Sequence, residues 1–250
     1  VISRYDEVWL VDFEYSQPTG EQPEPICMVA FELLSNRWVR LGPPELVPGS
    51  AAPYALSERA LFVAYGAVAE LRCHLALGWD LPASVLDLHA EFRISTNGLV
   101  DAHGSGLLAA CHHFGVPTVN AGLKDEMRDL AMRGGVYMPD EISVLMDYCQ
   151  TDVVATVALY RSMEAKIDLD RALIRGGYLR ALSVVESRGL PIDVRSFESF
   201  KSHWPELRTS LIKELDATTG VYCDTSFSTV AFACWLTERA SLGLAHPKVG

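Results

Sequence analysis

The sequence is poor in positive charge, with 21 Lys and Arg against 32 Asp and Glu and a formal net charge of −11. The deficit is local: residues 1–160 carry a net −12 and residues 161–250 a net +1. Such an acidic half excludes a long duplex-binding track, which needs many Lys and Arg contacts to phosphate. It leaves room for an enzyme that takes a few nucleotides into an acidic pocket, where bound cations supply the positive charge. No uninterrupted apolar run approaches the ~18 residues needed to span a bilayer, so no membrane segment is expected. The start, Val-Ile-Ser-Arg-Tyr-Asp-Glu, lacks a signal-peptide pattern and an initiator Met, and it reads as a trimmed or excised chain. The six cysteines are scattered with no C-x-x-C pair. They are expected to be reduced, mostly buried thiols of a cytoplasmic protein. Internal repeats and low-complexity tracts are also missing. The 250 residues are 49% hydrophobic, enough for one large core with an appendage.

One stretch that is present stands out. Val8-Trp9-Leu10-Val11-Asp12-Phe13-Glu14-Tyr15 reads as a buried strand interrupted by two acids. Side chains alternate along a strand, so Asp12 and Glu14 share one face while Trp9, Val11, Phe13 and Tyr15 take the other. Two neighbouring carboxylates on a buried strand are costly without compensation. Three readings follow: nearby cations compensate them, the pair holds a hard metal ion, or the strand end frays into solvent at Ser16-Gln17-Pro18.

In chain order, Ile26–Leu34 and Arg37–Leu41 read as strands around a Ser35-Asn36 turn. A Pro-rich loop follows over Gly42–Ser57. Leu61–Tyr65 is a short apolar strand, Gly66–Leu77 a helix and Val85–Leu88 another short strand. Helical patterns cover Gly104–Phe114, Leu123–Arg133 and Glu141–Met163. From about Asp168 only helices are expected: Leu173–Arg188, Val194–Thr218, and Ser226–Arg239 ending before Gly243. The expected fold is α/β, a mixed sheet flanked by helices, followed by an all-helical C-terminal segment. The boundary is placed so that residues 1–167 form one domain and 168–250 the helical segment.

Further acids fall on helices. In Glu141–Tyr160 the stripe Ile142, Leu145, Cys149, Val153 and Tyr160 faces inward. Tyr148 and Asp152, four apart, stack at its edge, whereas Asp147 projects away. In the helix after Tyr65, Ala67, Leu71 and His74 form the stripe and Glu70 sits beside it. Each placement has an ordinary reading, a surface hydrogen bond for Tyr148–Asp152 and a solvated acid for Glu70. Taken together, carboxylates at 12, 14, 70 and 152 offer the oxygen ligands that two divalent ions require. Adjacent His112 and His113 do not share a helix face and read as structural or solvated. Asp87 reads as a strand-end cap and Phe13 as core. Lys124, Arg128 and Arg133 read as a solvated face that could also meet phosphates.

These residues resemble the motifs of the DEDD 3′–5′ exonucleases of the tyrosine subclass. The nearest likeness is to the proofreading domain of family-A DNA polymerases of phage or bacterial type. Val11-Asp12-Phe13-Glu14 is similar to that family's first motif, Phe62-Val-Ala-Tyr65-Gly66-Ala-Val-Ala-Glu70 to its second, and Tyr148-Cys-Gln-Thr-Asp152 to its third. Met163–Asp193, with Arg175-Gly176-Gly177-Tyr178 and Gly189-Leu-Pro191-Ile-Asp193, resembles the segment leading into the polymerase domain. In two places the second motif departs from the family pattern: Gly66 stands where Asn is usual, and Glu70 where Asp is usual.

The resemblance implies a ribonuclease H-like fold and a hydrolase that removes 3′-terminal nucleotides from single-stranded DNA as nucleoside 5′-monophosphates. Asp12, Glu14, Glu70, Tyr148 and Asp152 would be its catalytic residues. The four carboxylates would hold two Mg²⁺ or Mn²⁺ ions, with Asp12 bridging and Tyr148 orienting water. It further implies a bacterial or phage-infected cell and a polymerase domain in the parent chain. No polymerase palm motifs occur in the residues given, so polymerisation is not expected of them. Two other readings stay open: an RNA-trimming nuclease of the RNase D kind, with RNA as substrate, and a catalytically silent structural domain.

Overall fold

The computed structural model describes residues 2–97, 99, 104–117 and 121–240, and resolves into two compact units, Val1–Gly189 and Leu190–Gly250. Gly243, expected to follow the last helix, lies outside the described residues.

In the first unit, strand β1 (Glu7–Ser16) runs down the centre of a five-stranded mixed sheet. β2 (Glu24–Glu32) and β3 (Arg37–Leu41) extend it antiparallel on one side. β4 (Ala60–Ala64) and β5 (Ser84–Asp87) extend it parallel on the other, giving the order β3-β2-β1-β4-β5. This is the expected ribonuclease H-like α/β arrangement. The tight turn before β3 closes at Asn36, whose φ of 56° is one that Asn tolerates.

Both faces of β1 are buried, which explains its unbroken apolar run. Val8 and Leu10 face one core, shared with Leu145, Cys149 and Val153 of α5 (Pro139–Met163). Trp9, Val11 and Phe13 face a second core, shared with Ala67, Leu71 and Leu77 of α1 (Ala67–Leu77). The alternation read from sequence therefore holds, with α1 and α5 on opposite faces of the sheet. With the turn that follows it, Pro139–Lys166 is long and apolar enough to cross a membrane by length and composition. In this fold its apolar face is the one packed on β1 and β2.

Three further helices lie between β5 and α5 in the chain: α2 (Leu88–Ser95), α3 (Leu107–His113) and α4 (Ala121–Met132). α2 was not legible in sequence. It starts directly from β5, with Asp87 as its N-cap accepting from the His89 N–H at 2.8 Å. Asp87 also accepts from the N–H groups of Gly66 and Ala67 at 3.0 and 3.3 Å, so the expected cap serves two helix starts.

The first unit extends past residue 167 because α6 (Leu169–Arg188) packs on α1 and β5. Gly176 permits this. A Cβ there would stand 2.0 Å from the Val85 carbonyl oxygen, so the helix lies directly on the strand backbone. Arg175, one residue earlier, grips buried Glu91 with two hydrogen bonds of 2.7 Å.

The second unit contains α7 (Val194–Thr219), a small hairpin of β6 (Tyr222–Cys223) and β7 (Ser226–Phe227), and α8 (Thr229–Ala240). The hairpin corrects the expectation of helices alone. It turns through Asp224 at a φ of 54°, and the Ser228 N–H donates to the Val221 carbonyl.

Candidate active site

Parallel strands β1, β4 and β5 end on the same edge of the sheet, where open α/β sheets place their ligand crevices. A cleft of about 450 Å³ opens there. All five residues singled out from sequence line it: Asp12, Glu14, Glu70, Tyr148 and Asp152. Asp12 and Glu14 come from the last turns of the pleat in β1. A β-bulge between Glu14 and Tyr15 then breaks the register with β2, a common device for re-aiming side chains beside a site. Glu70 comes from the first turn of α1 and is 4% exposed. Tyr148 and Asp152 come from α5, both buried, and the Tyr148 hydroxyl donates to Asp152 Oδ2 at 2.9 Å. Asp147 instead points to solvent and pairs with Arg40, as its helical phase requires.

The acids of the cleft are short of partners. Asp12 Oδ2 and Glu70 Oε2 are buried without any hydrogen-bond donor. Burial and then the neighbouring Asp152 push the Asp12 carboxyl up to about 8. Burial and then Asp12 push Glu14 up to about 10. Glu70 is driven well above the usual carboxyl range, by burial first and by Asp12 and Glu14 next. These groups therefore repel one another in a region of low dielectric, and a cation between them would relieve the cost. Ligand atoms of Asp12, Glu14 and Cys149 lie within 4.8 Å of one another. Oxygen donors dominate, a set that suits Mg²⁺ or Mn²⁺. The donor set and its orphaned oxygens fit divalent ions. Glu70 and Asp152 line the same cleft, outside that tight group.

Among the described residues, the cation paired with an acid of the cleft is Lys124 of α4, whose Nζ is 3.4 Å from Asp152 Oδ2. Burial and Asp152 raise the Tyr148 phenol far above its ordinary value, so at neutral pH it stays a hydrogen-bond donor.

Gly66 takes a left-handed conformation, φ 91° and ψ 48°, as the N-cap of α1. Glycine meets no steric penalty in this region, and Asn is among the few other residues that tolerate it. Cys149 was read from sequence as core. It is core, and its thiol also donates to the Asp12 backbone carbonyl at 3.2 Å, tying α5 to β1 directly beneath the acids. Its position next to Tyr148 on the inward stripe was the available signal. His74 is a core histidine, bonded to Tyr54 and the Asp80 carbonyl, with burial lowering it to about 4. His112 and His113 are exposed on α3, away from the cleft lining. Phe13 lines the cleft and packs edge-on to His74, consistent with its core reading. A larger concavity, about 940 Å³, is an open groove along α7 in the second unit that shares no residue with the acid cleft.

Among solved structures the chain is similar to one described as "apo form of the nuclease". The identity is 10% and the TM-score 0.50, over 75% of this chain and 88% of that one. The fold is nuclease-like. The chain is also similar to a family B DNA polymerase from the hyperthermophilic archaeon Pyrobaculum calidifontis, at 14% identity and a TM-score of 0.42. That match covers 63% of this chain and 24% of the polymerase. No family model and no curated protein matches the sequence. What is shared with the nuclease is the fold alone, and the assignment of the cleft rests on its own geometry.

Proposed function

We propose that the protein is a metal-dependent 3′–5′ exonuclease of the DEDD tyrosine subclass that shortens single-stranded DNA, as the proofreading module of a family-A-like polymerase chain. The observation that carries this reading is the convergence of four carboxylates and Tyr148 on one cleft, with buried oxygens of Asp12 and Glu70 left without donors. Structural acids are normally satisfied, and unsatisfied ones in a cleft mark a site built for a missing partner.

In this reading Asp12, Glu14, Glu70 and Asp152 would hold two Mg²⁺ or Mn²⁺ ions. Such ions lower the pKa of water and neutralise charge on the phosphate and on both the attacking and leaving oxygens. The chain's own groups supply position. Tyr148, protonated and anchored to Asp152, orients the attacking water. The rigid helix α5, tied to β1 through Cys149, fixes that water relative to Asp12 and Glu14. The water oxygen bonds to phosphorus and the bond from phosphorus to the 3′ oxygen breaks. Water loses its proton to solvent, and the leaving oxygen takes one up. The products are a nucleoside 5′-monophosphate and a strand one residue shorter.

The test is a 5′-labelled oligonucleotide incubated with the protein in Mg²⁺, Mn²⁺ or EDTA. A ladder of progressively shorter labelled products in either metal, absent in EDTA, is expected. No metal-dependent shortening would overturn the proposal. Parallel DNA and RNA strands decide between the DNA reading and an RNase D-like one.

A further inference from the structure

Helix α4 presents one face to the acid cleft. Lys124, Arg128, Ala131 and Met132 line it, a set spaced by one and two turns. Arg133, next along the chain, turns away and closes an ion pair with Glu141 near the start of α5. The two cleft-facing cations differ in setting. Lys124 is partly buried, its side chain 36% exposed, and it stands 3.4 Å from Asp152 at the floor. Its charge also acts on Asp12 and Glu14. Arg128 is exposed and makes no ion pair among the described residues. A guanidinium left unpaired on the wall of an acid-lined cleft is a donor fork without an acceptor. Residues four apart on a helix are separated by about 6 Å along its axis, comparable to the spacing of successive phosphates on an extended strand.

We infer that α4 is the phosphate-reading wall of the cleft: Lys124 contacts the non-bridging oxygens of the scissile phosphate, and Arg128 holds the phosphate on its upstream side. This rests on the exonuclease reading and adds to it two residues with separate duties. Lys124, beside the acids, offers positive charge where negative charge accumulates in the transition state, so it acts on kcat. Arg128, a turn away, binds a phosphate that does not react, so it acts on KM. In an otherwise acidic domain these two cations give the strand a polarity, reactive end toward Lys124 and remaining chain toward Arg128.

The experiment compares steady-state digestion of a single-stranded DNA by the wild type and by Lys124→Met, Lys124→Arg, Arg128→Gln and Arg128→Lys, over a range of salt. Lys124→Met should lower kcat about 10²-fold with KM nearly unchanged, and Lys124→Arg should recover part of the loss. Arg128→Gln should raise KM about tenfold with kcat within about twofold, and Arg128→Lys should fall between it and wild type. The fall of log(kcat/KM) with log salt should be shallower by about 0.7 in Arg128→Gln, the loss of one phosphate contact on a single strand. Variants that match wild type in kcat, KM and salt slope would overturn the inference while leaving the nuclease reading intact. A Lys124→Met that changes KM alone would overturn the division of duties. A wild type that digests nothing would overturn both, and that is visible before any variant is compared.

Discussion

Glu32, Asp87 and Glu91 are as buried as Glu70 and Asp152, yet each of the three is supplied with donors. Glu32 accepts from the N–H groups of Val8 and Ser35 at 2.8 and 2.5 Å. Asp87 accepts three backbone N–H groups, and Glu91 receives both arms of the Arg175 fork. On the other side of the comparison, Asp12 and Glu70 each bury an oxygen with nothing to accept from. Tyr148 and Lys124 both approach the same oxygen of Asp152 and leave those two oxygens without a donor. Burial by itself does not tell these acids apart, whereas an unpartnered buried oxygen marks Asp12 and Glu70 out from Glu32, Asp87 and Glu91. The satisfied acids hold turns, caps and helices in place, whereas the unsatisfied ones carry a repulsion that, under the proposed function, a cation would relieve.

The largest effect that follows concerns activity. Asp12→Asn/Glu14→Gln should reduce metal-dependent digestion at least about 10³-fold, since metal ligation supplies several kcal/mol to the transition state. Digestion assays beside thermal melts in EDTA should show lost activity with undiminished stability. Equal activity in the double variant would erase the distinction between the two sets of acids. The structural set should behave in the opposite way. Arg175→Met strips Glu91 of its partner and should destabilise the protein by about 2 kcal/mol in denaturant titration, because a buried charge is left uncompensated. Its affinity for Mn²⁺ should be unchanged, which calorimetry would check.

A third effect is in pH. Asp12 and Glu14 have folded pKa values raised to about 8 and about 10, against roughly 4 in the unfolded chain. Between those limits the folded state binds more protons than the unfolded one. Stability of the metal-free protein should therefore fall as pH rises from about 5 to about 8. Glu32 has the reverse sign: burial raises its carboxyl, but the Ser35 and Val8 donors together outweigh it and leave it lowered, so its contribution is present near neutrality and lost only in acid. Melting curves in EDTA across this range should show a decline that Asp12→Asn/Glu14→Gln flattens. A flat wild-type profile would indicate that the cleft acids are solvated and cheap to ionise.

Much of this arrangement was legible in sequence because it depends on strict periods. Alternation on β1 placed Asp12 and Glu14 on one face, and helical phase separated Asp152 from Asp147. The mixed sheet followed from short apolar runs broken by turns. What escaped depends on tertiary contact. α2 is eight residues begun by a cap that also serves α1, so its signal merged with β5. The packing of α6 onto β5 rests on one glycine, Gly176, and on the Arg175–Glu91 pair across 84 residues of chain. No local pattern announces either. Nor could sequence tell which buried acids would find donors, since both donors of Glu91 and one of the two of Glu32 come from elements distant in the chain.

The central claim is that the unsatisfied acids form a divalent-ion site. Its most direct measurement is the melting temperature of the EDTA-treated protein titrated with Mn²⁺ at pH 7.5, for the wild type and for Asp12→Asn/Glu14→Gln. A ligand that binds only the folded state stabilises it in proportion to the logarithm of its concentration above Kd. A saturable rise in the wild type, reversed by EDTA and absent from the double variant, is the predicted result. No rise in the wild type, or the same rise in both proteins, would contradict the account.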